Sequence, residues 1–144
     1  IEAEKRYIEV ISHQPKNVEA YEGLGRLYLK SKQYGQARET LRFALRLSPD
    51  DASVLVSLGE LDIAEDHPRA AVGNLRKAIA IRPKNPKYLD LYIETALRAK
   101  MLRDARAGIR RLTEVNPENQ KIEEFEERWN KLKETEVVEP SQTP

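Results

Sequence analysis

Few side chains in this sequence are suited to catalysis or metal binding. There is no cysteine and there are only two histidines, His13 and His67, so the chain lacks a thiolate nucleophile and a cysteine-based zinc site. Two carboxylates, Glu60 and Glu94, are separated by 34 residues. If that spacing places them on neighbouring helices, they lie about 10 Å apart, wider than most acid–base carboxylate pairs. We therefore expect no catalytic residue, no metal and no cofactor.

The charges of the chain nearly cancel. It has 25 Lys and Arg residues against 24 Asp and Glu residues among 144, a formal net charge of +1. Bulk electrostatics therefore does not draw the protein to nucleic acid or to an anionic membrane. The apolar runs are far shorter than the roughly 20 residues that span a bilayer, and we expect no signal peptide at the start of this sequence. We expect a soluble domain, cytoplasmic or tethered to a membrane by a region upstream of Ile1.

The sequence repeats itself every 34 residues without insertion or deletion. Positions at this offset match as follows: Pro15, Pro49, Pro83 and Pro117; Ala3, Ala37, Ala71 and Ala105; Tyr7, Leu41, Leu75 and Ile109. Between successive prolines, two runs of apolar residues have the i, i+3, i+4, i+7 spacing of amphipathic helices. Each proline ends a helix, and the Asn or Asp two residues later, as at Asn17 and Asp51, can cap the next one. The sequence predicts a row of helical hairpins.

These repeated positions resemble the tetratricopeptide repeat family. The unit at 18–51 carries nearly the full pattern: Tyr21, Leu24, Gly25, Tyr28, Tyr34, Ala37, Leu41, Ala44 and Pro49. The second unit has Leu55 and Asp62 where the first has Tyr21 and Tyr28, and the third replaces the Leu-Gly pair by Tyr92 and Ile93. The resemblance implies an all-α fold, a right-handed superhelical solenoid of antiparallel helix hairpins.

The period also divides the chain. Residues 1–17 match the second helix of a truncated upstream repeat, 18–51, 52–85 and 86–119 are three full repeats, 120–133 form a C-terminal capping helix, and 134–144 are expected to be a disordered tail. The cap places its apolar residues on one face: Ile122, Phe125, Trp129 and Leu132. Because these residues come one position earlier than in the repeats, we expect the cap to dock with a rotated face.

Several departures from the family pattern predict local differences. Between the two helices of each unit the usual glycine is replaced, by Lys32, Asp66 and Lys100. We expect these turns to be built differently. Ile93 and Leu112 replace small residues where the helices of the third unit cross, so the crossing should widen there and bend the array. Asp62 is expected to be exposed or locally paired, and we expect His13 to be partly packed and His67 solvated.

In the family, the first helices of the repeats line a concave groove that holds a segment of a partner. The corresponding positions here are Glu19, Glu22, Arg26, Leu29 and Lys30, then Val56, Glu60 and Ile63, then Lys87, Asp90, Glu94, Leu97 and Arg98. An acidic middle, made by Glu22, Glu60, Asp90 and Glu94, lies beside an apolar strip of Leu29, Ile63 and Leu97. This pattern predicts a protein partner with a basic, partly apolar segment. The alternative is an ordinary solvated helix face.

The same positions disfavour one activity that the resemblance implies. Members that grip the acidic tails of chaperones use Lys, Asn and Arg at five groove positions. This sequence has Glu22, Arg26, Ser57, Lys87 and Leu91 there, and of these only Lys87 fits. A chaperone-tail partner is therefore not expected.

Two other surfaces give alternatives. The second helices carry a row of arginines that nucleic acid phosphates would suit: Arg38, Arg42, Arg46, Arg76, Arg106, Arg110 and Arg111. This row lacks interleaved aromatic residues, which favours a solvated face over nucleic-acid binding. Tyr7, Val10 and Ile11 form an open edge through which two copies could pair. We predict a non-catalytic protein-interaction module or scaffold, with a self-associating homo-oligomer as the alternative.

Overall fold

The computed structural model describes residues 1–138, and within that range every regular element is an α-helix, with no strand. It forms α1 (Glu2–His13), α2 (Val18–Lys30), α3 (Tyr34–Leu47), α4 (Ala52–Ala64), α5 (Pro68–Ile81), α6 (Pro86–Arg98), α7 (Leu102–Val115) and α8 (Ile122–Val138). The pairs α2–α3, α4–α5 and α6–α7 are hairpins, each packed on the next, with α1 and α8 at the two ends. The all-α solenoid that the sequence predicts is confirmed.

The predicted capping residues fix where the first helices begin. Asn17 Oδ1 accepts a hydrogen bond from the Ala20 amide at 3.0 Å. Asp51 and Asn85 make the equivalent bonds at 3.1 Å and 3.2 Å. Because the first amides of a helix have no partner within it, each cap satisfies one of them. The 34-residue period thus sets the start of every hairpin.

Close helix crossings hold the first two hairpins together. A Cβ atom added to Gly25 would lie 2.6 Å from Leu41 Cγ, and one added to Gly59 would lie 3.0 Å from Leu75 Cγ. Leu41 and Leu75 are both fully buried. The glycines are therefore needed because a leucine of the facing helix occupies the space that a side chain would take.

In the third hairpin, the glycine at the helix crossing lies on the second helix, α7, and not on the first helix as in the other two hairpins. Ile93 is buried on α6, and Gly108 on α7 lies against it: an added Cβ would come within 2.6 Å of Ile93 Cγ1 and 3.0 Å of Tyr92 Cδ1. The expectation that Ile93 and Leu112 force this crossing apart did not take Gly108 into account. The larger side chain of Ile93 on α6 is offset by the missing side chain of Gly108 on α7.

The turns within the hairpins keep a left-handed residue although none of them has glycine. Lys32, Asp66 and Lys100 have φ angles of 61°, 60° and 58°. In the first turn the Lys32 amide donates to the Leu29 carbonyl at 3.0 Å and the Gln33 amide to the Tyr28 carbonyl at 2.8 Å, and the other two turns repeat this pattern. These are Schellman turns. The prediction of differently built turns is wrong, because the side chains tolerate the left-handed conformation at an energetic cost.

The C-terminal helix packs on the array as predicted but extends further. Phe125 is 1% exposed, and Trp129 Nε1 donates to the Leu102 carbonyl at 2.9 Å. Phe125 comes one position earlier in the repeat than the buried Leu24 and Leu58, so the cap uses the shifted face that the sequence predicts. However, α8 continues to Val138, past the predicted end at 133. Residues 139–144 of the predicted tail lie outside the described part.

The two histidines differ in how they match expectation. His13 is exposed, and its Nδ1 lies 3.0 Å from the Glu9 carbonyl oxygen. The expectation that it is partly packed is wrong, because the side chain is exposed and its ring contacts only its own helix. His67 is exposed at the start of α5, as expected.

Candidate functional site

The predicted groove positions lie on α2, α4 and α6, and we call their outward face the first-helix surface. Its side chains divide by exposure. Six are exposed: Glu19, Arg26, Lys30, Lys87, Glu94 and Arg98. Five are half-buried: Glu22, Leu29, Glu60, Ile63 and Asp90. Val56 and Leu97 are buried in the core, so the structure leaves Leu29 and Ile63 as the apolar part of the surface.

One column of this surface runs along the array from α2 to α8 and has an arginine at each end with two glutamates between them. It holds Arg26, Glu60, Glu94 and Arg128, each 34 residues after the last. Arg26 Nη2 lies 3.9 Å from Glu60 Oε2, and Arg128 Nη1 lies 2.6 Å from Glu94 Oε2. Arg128 also lies 3.7 Å from Glu124. Arg128 is not among the predicted groove residues, although extending the column by one more period reaches it.

The other two acidic residues also have partners from the next repeat. Glu22 accepts hydrogen bonds from the hydroxyls of Ser53 and Ser57, and Arg26 Nη1 donates to Ser57 Oγ at 3.2 Å. Asp90 accepts from Asn119 Nδ2 at 3.2 Å. The predicted acidic middle is therefore a polar lattice that crosses from repeat to repeat. Its longest ion pair is the one between Arg26 and Glu60, at 3.9 Å, so Glu60 is the least tightly paired of the four carboxylates.

A second polar cluster joins the first two repeats inside the array. Asp62 is 3% exposed, its Oδ1 accepts from Arg38 Nη2 at 2.8 Å, and its Oδ2 accepts from Asn74 Nδ2 at 2.7 Å. Arg38 also binds Glu65 at 2.6 Å. Desolvation disfavours the guanidinium, but the hydrogen bonds to Glu65 and Asp62 outweigh it and raise the pKa of Arg38. Asp62 was expected to be either exposed or locally paired. The structure shows that it is locally paired and buried.

Two buried tyrosines make comparable contacts between helices. Tyr28 Oη donates to Glu4 at 2.9 Å, and Tyr92 Oη donates to Asp104 Oδ1 at 2.5 Å. Burial and the neighbouring carboxylate raise the pKa of each phenol. Arg76 donates to the same Asp104 oxygen through Nε at 2.8 Å, and this hydrogen bond raises the pKa of Arg76.

These contacts interrupt the predicted row of arginines on the second helices. Arg38 and Arg76 are held by carboxylates. Arg46 lies over the Phe43 ring at 5.4 Å, and Arg106 over the Trp129 ring at 4.9 Å. The row is therefore not a continuous set of free cations.

Residues 1–138 hold no group of three or more His, Asp or Glu side chains that could bind a metal ion. No helix in the same range is both long and apolar enough to cross a membrane.

The comparisons with known proteins agree with the repeat pattern. A tetratricopeptide repeat family model matches residues 1–61. The resemblance to the tetratricopeptide repeat family is confirmed over these residues. The chain is 31% identical over 86 residues to the BBSome complex member BBS4 homolog of Drosophila melanogaster; the match covers 59% of the chain and 18% of that protein. It is 41% identical over 58 residues to the protein CTR9 homolog of Arabidopsis thaliana, which covers 40% of the chain and 5% of that protein. The chain thus spans a small part of the curated relatives it matches.

Solved structures share the fold of this helical array. MamA from Desulfovibrio magneticus RS-1 superposes with a TM-score of 0.72 at 17% identity, over 97% of this chain and 87% of that one. YrrB, a tetratricopeptide repeat protein with an unusual peptide-binding site, gives a TM-score of 0.67 at 18% identity, over 94% and 76%. The first such domain of Spaghetti (RPAP3), bound to the HSP90 peptide SRMEEVD, gives 0.67 at 15% identity, over 83% and 93%. At these identities the likeness concerns the fold alone.

Proposed function

We propose that this chain is a non-catalytic protein-interaction scaffold that holds a segment of a partner along the first-helix surface. The fold is one that serves as an interaction scaffold, and solved proteins that share it include peptide-binding ones. The observation that carries the proposal is the lattice of polar side chains that crosses from each first helix to the next. A lattice of this kind fixes charged groups on one outward face, which favours recognition of an extended partner.

The partner segment that suits this surface is basic and partly apolar. Glu60 lies at its centre, 3.9 Å from Arg26, and both side chains are partly exposed, at 35% and 48%. A lysine or arginine of the partner can therefore replace Arg26 at Glu60 with little loss. Leu29 and Ile63, both half-buried, supply the apolar contact beside it.

An acidic chaperone tail suits the surface poorly. Glu22 and Ser57, at two of the positions where the resemblance requires Lys or Asn, already bind each other, and Leu91 stands where it requires Arg. A carboxylate brought to this place would face Glu22, and the neighbouring Arg26 already contacts Ser57 and Glu60.

Two short fluorescein-labelled peptides test the proposal. They have the same leucines, but one has lysines where the other has glutamates, and binding is followed by fluorescence anisotropy at low ionic strength. We expect the lysine peptide to bind the wild-type chain, and the double variant Glu60→Lys with Glu94→Lys to bind it at least about tenfold more weakly. The same double variant should not bind the glutamate peptide more weakly. Unchanged affinity of the double variant for the lysine peptide contradicts the proposal.

A matched control removes the effect of net charge. Glu39 on α3 and Glu114 on α7 are both exposed on second helices, so Glu39→Lys with Glu114→Lys changes the net charge by the same amount. This control variant should bind the lysine peptide like the wild type. Circular dichroism checks that both variants keep their helix content. If Glu60→Lys with Glu94→Lys loses helix content, Glu60→Gln with Glu94→Gln replaces it in the same binding measurement.

Self-association is the second candidate, and one observation favours it. On α1, Ile8 is 49% exposed and Val10 is 38% exposed, while Tyr7 and Ile11 are half-buried against α2. Two copies could cover Ile8 and Val10 with each other. Sedimentation equilibrium over a range of concentrations tests this: a dimer that Val10→Glu dissociates supports it, and a monomer at every concentration excludes it.

A further inference from the structure

We propose that the groove between α5 and α7, which we call the second-helix pocket, binds an acidic protein segment that carries an apolar anchor. The pocket has a volume of about 630 Å³. Its cations are Arg76, Arg103 and Arg111, and its apolar walls include Ile79, Pro83 and Ala107. This site lies on the second helices, so it is separate from the first-helix surface and has the opposite charge preference.

The spacing along α7 sets the shape of the ligand. Arg103, Ala107 and Arg111 follow each other at four-residue steps, so they form one stripe along the helix. The two arginines are about 12 Å apart along the helix axis, a distance that about four residues of an extended peptide span. Two acidic residues four positions apart can therefore reach both arginines. The small side chain of Ala107 leaves room between them for an apolar residue of the ligand.

The charge of the pocket favours an anion. Asp104 is the one carboxylate among its lining residues, and its Oδ1 already accepts from Tyr92 at 2.5 Å and from Arg76 at 2.7 Å and 2.8 Å. Arg103 and Arg111 are exposed and make no ion pair with any residue in 1–138. Three arginines against one aspartate leave two positive charges. Arg76, held in place by Asp104, forms the fixed edge of the site, and the two free arginines are left for the ligand.

An acidic protein segment fits these features better than nucleic acid does. The tyrosine in the pocket, Tyr92, is only 2% exposed, so it offers no ring on which a base could stack. The apolar walls would contact nothing on a sugar–phosphate backbone but would bury a leucine or a similar side chain. Carboxylates on either side of an apolar residue match both the charges and the walls.

The test uses a short fluorescein-labelled peptide in which two glutamates four positions apart flank a leucine. We expect it to bind the wild-type chain, and a peptide with lysines in place of the glutamates not to bind at this pocket. Arg103→Glu with Arg111→Glu should weaken binding of the acidic peptide by roughly tenfold or more, because both ion pairs are lost and replaced by repulsion. Ala107→Trp, which fills the pocket without changing any charge, should also weaken it.

A control on the same two helices separates the pocket from net charge. Lys77 on α5 and Arg110 on α7 are exposed and do not line the pocket, so Lys77→Glu with Arg110→Glu changes the charge equally. We expect this variant to bind the acidic peptide within about threefold of the wild type at moderate salt. An equal loss in the control and the pocket variants overturns the proposal, because it reduces the site to bulk attraction.

Two further results would also overturn the proposal. One is unchanged binding when Arg103 and Arg111 are both reversed; if that variant loses helix content, Arg103→Gln with Arg111→Gln replaces it in the same measurement. The other is displacement of the acidic peptide by an unlabelled single-stranded oligonucleotide that binds the Ala107→Trp variant more weakly than the wild type. That result would show that the pocket binds phosphates. The lysine-peptide test of the first-helix surface is unaffected by any of these results.

Discussion

Arg38 of α3 and Asp62 of α4 form an ion pair across the boundary between the first two repeats, with Nη2 and Oδ1 2.8 Å apart. The Asp62 side chain is almost completely buried and the Arg38 side chain is 24% exposed. Asp62 stands at the repeat position that Tyr28 occupies one unit earlier. The second repeat thus replaces a buried aromatic residue by a buried charge that the neighbouring repeat neutralises.

Removing the arginine should be costly. Arg38→Met leaves Asp62 buried with only Asn74 as a side-chain partner, and we expect a loss of about 2–3 kcal/mol in the free energy of unfolding. Urea unfolding followed by circular dichroism measures it. Asp62→Asn in the same background should recover part of the loss, since the amide carries no charge. A loss below about 0.5 kcal/mol, the usual size for surface substitutions, would show that the pair does not stabilise this boundary.

Two glycines should respond in opposite ways to the same substitution. Gly108→Ala puts a methyl group 2.6 Å from Ile93 Cγ1, so we expect a loss of about 1–2 kcal/mol despite the better helix propensity of alanine. Gly73, within α5, has no atom within 4 Å of an added Cβ, so Gly73→Ala should gain about 0.5–1 kcal/mol. Thermal and urea unfolding of the two variants compare them directly. A gain in both would mean that the α6–α7 crossing is looser than the structure has it.

The left-handed turns should improve with glycine. Lys32 and Lys100 have positive φ angles, which a residue with a Cβ adopts at a cost of about 1 kcal/mol or more. We expect Lys32→Gly and Lys100→Gly each to raise the free energy of unfolding by about 0.5–1 kcal/mol, the flexibility of glycine in the unfolded chain taking back part of the gain. Lys32→Ala is the control, because it removes the same charge and keeps the strain. Equal effects of alanine and glycine would attribute the change to the lysine charge.

The raised pKa of Tyr92 predicts a loss of stability in alkaline solution. A phenol ionises near pH 10 in the unfolded chain, whereas burial and Asp104 delay its ionisation in the folded one. The stabilisation is therefore complete below about pH 10 and declines as the pH rises further, because only the unfolded state releases the proton. We expect the free energy of unfolding of the wild type to fall more steeply above about pH 10 than that of Tyr92→Phe. Parallel pH profiles would contradict the assigned environment of Tyr92.

The sequence predicts those features that recur at the 34-residue period and fails at those that arise from single contacts between repeats. The hairpins, the caps at Asn17 and Asp51, and the cap helix with Phe125 all follow from periodicity, because each depends on local chain chemistry. The role of Gly108 was missed because it depends on Ile93 fifteen positions earlier in the partner helix, outside the family pattern. The turns at Lys32 and Lys100 were predicted wrongly because residue type alone does not show that packing imposes a left-handed conformation.

The sequence predicted which residues belong to the first-helix surface, but not which of them form ion pairs or hydrogen bonds with each other. The positions were assigned by columns, and most of them lie on the outward face of α2, α4 and α6. The sequence did not show that Glu94 is neutralised by Arg128, nor that Val56 and Leu97 are buried, because both depend on how far successive helices are rotated and displaced. These facts shift the centre of the proposed binding surface from the whole acidic row to Glu60.

Backbone amide chemical shifts of the isotopically labelled chain, recorded while the unlabelled lysine peptide is added, test the central proposal most directly. The proposal predicts that the amides shifting with the peptide lie along α2, α4 and α6, most strongly near Arg26, Glu60 and Ile63, and that the shifts are lost in Glu60→Lys with Glu94→Lys. Shifts confined to α3, α5 and α7, or spread evenly over the chain, would contradict it.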